Sequence, residues 1–369
     1  MKKPLELLIS IIISIVLLSI IFPSDPKKTD LITQFRSYIK SGKKSAEIKN
    51  YTLGRLLQVD EDGSALIWST DEKHLYYSKP SEDMGSDELW VSDLKEYKSN
   101  IESDIQLINI RNPKLSPDGK MLAFISGPEE KNSLILYNMN TGQFKDITPT
   151  KIFDIGITSY DWDTDSKNIL MSLDLVSPSI QIYNIEMDEI KKFNIKLRNC
   201  RNAAFYKNGG IMFSQLDEDG KYKIYTADSR GGNITYIAEG WDFILSDDMN
   251  KIAILSDGDG QGNLSVYNID SKKTVNLLSS PASNVYWVSD GSLLYSSERD
   301  SANAKVFEGD IHYYGNDGKQ KIITGAIHTI FVPSESGNKI AMTSPAYMNG
   351  KKEEKGIFFG ELLKDATKK

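Results

Sequence analysis

From about residue 51 to residue 363, short apolar runs alternate with polar turns, and no helical period separates them. The stretch LSPDGKMLAFIS (115–126) is the clearest instance. Pro117 presets φ near −65°, Asp118 can bond its own backbone, and Gly119 supplies a positive φ without a steric penalty. After the turn, Met121, Ala123 and Ile125 alternate with Leu122, Phe124 and Ser126. A run with so little polarity on either side predicts a short β-strand buried on both faces.

The turn is repeated. Comparable units are IWSTDEKHLYYS (67–78), DWDTDSKNILMSL (161–173), FYKNGGIMFSQ (205–215), ILSDDMNKIAILS (244–256), YWVSDGSLLYSS (286–297) and FVPSESGNKIAMTS (331–344). Their turn positions, with that of LSPDGK, are Asp71, Asp118, Asp165, Asn208, Asp248, Asp290 and Ser336, spaced 47, 47, 43, 40, 42 and 46 residues apart. Three residues before the turn position stands a large apolar side chain in six units: Trp68, Leu115, Trp162, Phe205, Leu245 and Trp287. The seventh has Pro333 there and Val332 one step earlier, which predicts one extra residue in its turn.

A strand–turn–strand segment follows each first hairpin, as in LILYNMNTGQFKDIT (134–148) and LSVYNIDSKKTVNLLS (264–279). Each unit therefore holds four short strands in about 40–45 residues, the repeat length of a β-propeller blade. The expected fold is all-β: a propeller of about seven four-stranded blades, with six the alternative count. The seventh unit offers only KGIFFGELL (355–363) after its first hairpin and lacks a fourth strand. An open ring would expose an edge, so NYTLGRLLQV (50–59) is predicted to supply that strand and join the ends.

The Ser-Pro-Asp-Gly-Lys turn, the apolar strand after it and the Ile-Tyr-x-x-(Asp/Asn) segment resemble the WD40-like repeat of TolB-type β-propellers. LSPDGKMLAFIS with LILYNMNTGQF carries the likeness most closely, and it extends over residues 51–363 by spacing and residue class. The resemblance implies a fold and a propensity to bind other proteins in the cell envelope. Similar propellers also gate prolyl-oligopeptidase-like enzymes. The connection 24–49 is shorter than the α/β domain that precedes the TolB propeller, and no hydrolase domain is expected after residue 363.

The N-terminus carries a different pattern. Leu7 to Phe22 is a run of 16 residues with no charge and three serines, preceded by Lys2 and Lys3 and closed by Pro23. As a helix it would span about 24 Å. Residues 1–23 are expected to be an uncleaved signal anchor, or else a cleaved secretory signal. The two lysines favour a cytoplasmic N-terminus. That makes the expected product a single-pass protein of the cell membrane with its propeller outside the cytoplasm, or a secreted one after cleavage. Residues 24–49 form a juxtamembrane linker. In it Leu31, Ile32, Phe35, Tyr38 and Ile39 recur at helical spacing after Asp30, so the helix either lies on the membrane or packs on the domain that follows. Residues 364–369 are a charged tail.

Composition narrows the chemistry. The net charge is −7 and no basic block is long, so no nucleic-acid partner is expected. A single cysteine, Cys200, excludes an internal disulfide. The three histidines, His74, His312 and His328, show no triad arrangement, and no Gly-x-Ser-x-Gly elbow occurs. No catalytic residue and no cofactor is therefore assigned. SDGDGQGN (256–263) offers Asp257, Asp259, Gln261 and Asn263 at alternate positions, a partial calcium-loop pattern that lacks an acidic residue at its twelfth position. The shorter turn LDEDGKY (216–222) is a weaker calcium candidate.

Propeller ligands usually sit where the inner strands converge. Counting back six residues from each turn position, and seven in the seventh unit, gives Asn112, Ser159, Asn202, Asp242, Asn284 and Thr329 as a polar ring, with Ala65 in the first unit. Arg111, Arg201, Trp241 and His328 immediately precede four of its members. The expected function is a monomeric, non-catalytic module that binds an envelope protein or peptide at this ring. The alternative is a hydrolase or lyase acting on carbohydrate through carboxylates there.

Overall fold

The computed structural model describes residues 51–363, apart from 54–55, 83–84, 97, 102–106, 129–130, 150–155, 175–177, 259–260, 279–281, 299–308, 319, 325–329, 345–346, 349–350 and 353–355. No α-helix occurs among the described residues, and none of their elements could cross a membrane as a helix. The expected anchor and linker helix lie outside the described residues.

Seven four-stranded antiparallel blades are present. Blade 1 runs through Ser64–Trp68, His74–Pro80, Asp87–Asp93 and Lys98–Ile101. Blade 2 uses Arg111–Leu115, Met121–Ser126, Ser133–Asn138 and Gln143–Asp146, and blade 3 Gly156–Trp162, Asn168–Asp174, Ser179–Asn184 and Glu189–Lys192. Blade 4 comprises Cys200–Tyr206, Gly210–Leu216, Tyr222–Ala227 and Thr235–Glu239, and blade 5 Asp242–Leu245, Lys251–Gly258, Gln261–Asn268 and Lys273–Leu278. Blade 6 holds Ala282–Trp287, Leu293–Glu298, Gly309–Tyr314 and Gln320–Thr324. Blade 7 takes Ile330–Pro333, Lys339–Ser344 and Gly356–Leu363 from the end of the chain.

The strand missing from blade 7 comes from the start, as the sequence predicts. Thr52 and Leu53 pair with Leu363 and Leu362, and Leu57 and Gln58 with Phe359 and Phe358. The same segment also runs parallel to the outer strand of blade 6, with Tyr51 opposite Ile323. Gly356 opens the receiving strand at φ +136°, and a Cβ there would lie 2.1 Å from the carbonyl oxygen of Asp60. Only glycine lets the closing strand pass so near.

Seven apolar clusters fill the seven gaps between neighbouring blades. The gap between blades 2 and 3, for example, holds Ile125, Leu136, Tyr160, Trp162 and Met171, and that between blades 7 and 1 holds Trp68, Tyr77, Ala341 and Phe359. The clusters for blades 1–2, 3–4, 4–5, 5–6 and 6–7 complete the circuit. This explains why the second and third strands are apolar on both faces: each face packs on a different blade.

The repeated turn has one geometry. The residue after each turn position has a positive φ in all seven blades: Glu72, Gly119, Ser166, Gly209, Met249, Gly291 and Gly337. In blades 1, 2 and 5 a serine hydroxyl donates to the turn aspartate, Ser69 to Asp71, Ser116 to Asp118 and Ser246 to Asp248, each at 2.7 Å. Those carboxylates also accept from the backbone N–H of Lys73, Lys120 and Asn250. In blade 3 Asp163 takes over, accepting from the amides of Lys167 and Asn168.

The seventh turn corrects one expectation. It has no extra residue, because Ser334 N bonds Lys339 O just as Ser116 N bonds Met121 O. Pro333 simply replaces the large apolar residue, pairing with Ile340 as Leu115 does with Leu122. Proline is tolerated because an inner strand has a partner on one side only.

Candidate binding site at the channel mouth

The first strands of successive blades are neighbours round the ring and surround the channel. In an up-and-down blade, the N-terminal half of the first strand lies at the same end as the hairpin joining strands two and three. The polar ring belongs to that end. In five blades the first strand is also irregular at this level, with register shifts between Ala65 and Ile67, Arg111 and Lys114, Ile157 and Ser159, Cys200 and Asn202, and Ser283 and Tyr286. A bulge re-aims side chains and loosens pairing.

An inner strand would present an unpaired edge to the channel, and side chains of the neighbouring blades cover it. Ser159 Oγ accepts from Ala203 N at 2.9 Å, and Asp161 Oδ2 from Phe205 N at 3.1 Å, tying blade 3 to blade 4. Asn202 Nδ2 donates to Phe243 O at 2.8 Å and to Asp242 Oδ1 at 2.6 Å, tying blade 4 to blade 5. Lys114 Nζ reaches Tyr160 O and Asp161 Oδ1 from blade 2. Three tryptophans of the repeated position do the same one step along: Trp68 Nε1 donates to Val332 O, Trp162 Nε1 to Lys114 O and Trp287 Nε1 to Ile244 O. Ser159 and Asn202 thus hold the ring together.

The remaining predicted residues are placed as follows. Asn112 is exposed at φ +50°, and its carbonyl accepts from the Tyr160 hydroxyl. Asn284, at φ +51°, donates to Ser296 Oγ at 3.3 Å. Asp242 is the acid of the ring, and burial pushes its carboxyl above the usual carboxylate range despite the Phe243 amide, Asn202, Arg201 and Lys114. Its Oδ1 accepts from Asn202 and from Phe243 N at 2.7 Å, and no described donor reaches Oδ2. Trp241 packs against the core between blades 5 and 6, and the exposed Arg201 lies over its ring, with the guanidinium carbon 4.4 Å from a ring centroid. Because the seventh turn has ordinary length, the blade 7 residue level with Asp242 is Ile330. His328 and Thr329 lie outside the described residues.

Sequence reasoning missed Lys114 and Asp161. Each stands two residues after a ring member, and alternation would place it on the same strand face, which is the signal that could have found them.

The other candidates are soon placed. Cys200 is buried and accepts from Ser172 Oγ at 3.3 Å, and burial pushes its thiol up to about 12, which disfavours the thiolate. His312 stacks on Tyr295 at 5.0 Å, and Ser297 Oγ lies 2.8 Å from its Nε2. His74 lies near Asp71 and Asp93 at the opposite end of blade 1. Among the described residues no three His, Cys, Asp or Glu side chains converge as metal ligands. In the calcium candidate, Ser256 pairs with Asn263, Asp257 with Gly262 and Gly258 with Gln261, and Asp259 lies outside the described residues. In the second candidate, Asp217 and Asp219 both hold Lys223, at 2.6 and 2.8 Å.

No protein-family model matches the chain, and no curated protein is similar to it in sequence. Solved structures do match. An oligogalacturonate lyase from Vibrio parahaemolyticus is similar with a TM-score of 0.63 at 12% identity, over 85% of this chain and 97% of that one. The β-propeller domain of the Trilobed protease from Pyrococcus furiosus is similar with a TM-score of 0.58 at 17% identity, over 87% and 100%. TolB from Acinetobacter baumannii matches at 0.49 and 18% identity, over 70% and 62%. The first two likenesses support the propeller fold and nothing finer; the third is too low to add to them.

Proposed function

We propose that this protein is a non-catalytic binding module of the cell envelope, held at the membrane by Leu7–Phe22, whose propeller takes a segment of a partner protein at the channel mouth of blades 4 and 5. The observation that supports this most is the placement of Arg201, Trp241 and Asp242. They sit together at the mouth, and the donors of Arg201 and one oxygen of Asp242 have no described partner. Asp161, two residues past the ring, is engaged by Lys114 and a backbone amide, so Asp161 and Asp242 do not form an acid–base pair.

The likeness to an oligogalacturonate lyase over most of both chains motivates a second reading, a lyase or hydrolase on acidic carbohydrate. The test separates them. The tagged full-length protein is crosslinked in intact cells beside a Trp241→Ala/Asp242→Asn variant that melts at a similar temperature. A discrete envelope protein captured by the wild type and lost in the variant supports the module. Capture unchanged in the variant removes the site assignment. Depolymerisation of an oligouronide by the purified protein replaces the module with the enzyme.

A further inference from the structure

The binding-module reading leaves the chemistry of the ligand open, and the cations of the mouth address it. Arg201 is the extra residue of the blade 4 bulge, between the pairs Cys200–Gln215 and Asn202–Ser214. It is exposed, no carboxylate among the described residues lies within ion-pair distance, and none of its N–H groups has a described acceptor. Its position is nevertheless held, because the guanidinium lies over the Trp241 ring. A guanidinium held over an aromatic ring can still present its N–H fork outward, and that fork matches a carboxylate. Nearby basic residues are otherwise occupied: Arg198 pairs with Glu218 at 2.9 Å and Lys114 with Asp161 at 3.1 Å.

Blade 2 has an arginine at the equivalent position of its repeat, there paired across the strand with Ile125. Arg111 precedes Asn112 as Arg201 precedes Asn202. Its Nη1 donates to Gly127 O at 2.6 Å, while its Nη2 is buried with no hydrogen-bond partner. Seven arginines occur in a chain of net charge −7, and two of them stand at this one level of the repeat with N–H groups that have no acceptor among the described residues. An arginine there without a described hydrogen-bond acceptor, in an acidic protein, fits an anionic ligand.

We infer that the module recognises a carboxylate-rich peptide segment, with the Trp241-backed guanidinium of Arg201 as the principal contact. This inference rests on the reading of the mouth as a binding site. A peptide is favoured over an acidic sugar because Trp241 has no free platform: one side packs into the core and Arg201 covers the ring.

The test uses the full-length chain in non-ionic detergent and three fluorescein-labelled probes: deca-glutamate, deca-glutamine and an oligogalacturonate of similar length. Fluorescence anisotropy should show binding of deca-glutamate, weakened by salt, and little binding of deca-glutamine. Arg201→Gln should weaken it at least tenfold, and Arg201→Lys by less, because lysine keeps the charge but not the fork. Lys191→Gln, on the exposed outer strand of blade 3, should change nothing while removing the same charge. Equal binding of deca-glutamate and deca-glutamine, or no change in Arg201→Gln, overturns the inference. Preference for the oligogalacturonate also overturns it, in favour of a glycan. Failure of deca-glutamate alongside Trp241-dependent capture in cells leaves the module standing without its carboxylate; failure of both removes the module.

Discussion

Blades 3 and 7 use the same turn and the same inward order of strands, yet they are assembled differently. Blade 3 takes all four strands from one continuous stretch, Gly156–Lys192, so each hairpin closes locally. Blade 7 takes three strands from residues 330–363 and its outer edge from residues 51–60, at the other end of the chain. The seam draws extra ties from distant residues. Asp60 accepts from the Tyr77 hydroxyl at 2.9 Å and pairs with Lys79 at 3.1 Å, both in blade 1. Glu72 in the first turn accepts from the amide and hydroxyl of Ser336 in the seventh. Local blades cost little loop-closure entropy; the seam must recover the entropy of joining the chain ends, and it does so with pairing, apolar packing and these ties.

Breaking the seam should therefore do most. Removing residues 50–60 exposes the edge of Gly356–Leu363 and uncovers the Trp68–Phe359 cluster. Thermal unfolding should lose its single cooperative transition and the protein should aggregate, whereas removing the outer strand of blade 3 should lower the melting temperature and leave one transition. A smaller lesion at the same place is Gly356→Ala, which combines a disfavoured φ with a clash against Asp60 and should cost ~2–4 kcal/mol in denaturant titration. Gly142→Ala, in an open turn of blade 2 at φ +68°, should cost about 1 kcal/mol. Equal costs would mean the seam is not special.

The inter-blade ties come next. Trp68→Phe keeps most of the packing but leaves the buried Val332 carbonyl without its donor, for an expected loss of about 1–3 kcal/mol. The same change at Trp162 or Trp287 should cost comparable amounts, since each makes the equivalent bond to the preceding blade. A loss confined to Trp68 would show that only the seam depends on these bonds.

The smallest effect belongs to the turn carboxylates. Ser69 and Ser116 hold Asp71 and Asp118 down to about 2, each helped by a backbone amide. A depressed folded value stabilises the fold fully above the unfolded value near 3.9, and this contribution is lost as pH falls through about 2. Stability measured between pH 5 and pH 2 should decline less steeply in Asp118→Asn than in the wild type. An identical slope would mean the exposed turn is screened by solvent.

Much of the fold was legible because each blade carries its own instructions. Turn chemistry at Asp118–Gly119, apolar strands buried on both sides and a repeat of 40 to 47 residues require no knowledge of distant partners. Even the closing strand could be predicted, as the one strand-like segment without a unit. The mouth was legible only as a level. Asn202 and Ser159 were identified as polar residues of the ring, but a strand pattern does not say whether a polar side chain faces a ligand or caps the next strand's edge.

By itself, then, the sequence determined the all-β class, the repeated four-stranded unit, its common turn and the need for closure, because local dihedral preferences and strand alternation act over a few residues. Only the tertiary structure decided which polar groups were consumed. Ring closure brings Asn202 to Phe243, Ser159 to Ala203 and Trp68 to Val332, partners about 40 or more residues away, and leaves Arg201 lying over Trp241 with no acceptor for its donors among the described residues. Those contacts depend on the angle and spacing of neighbouring blades, which no local stretch of sequence encodes.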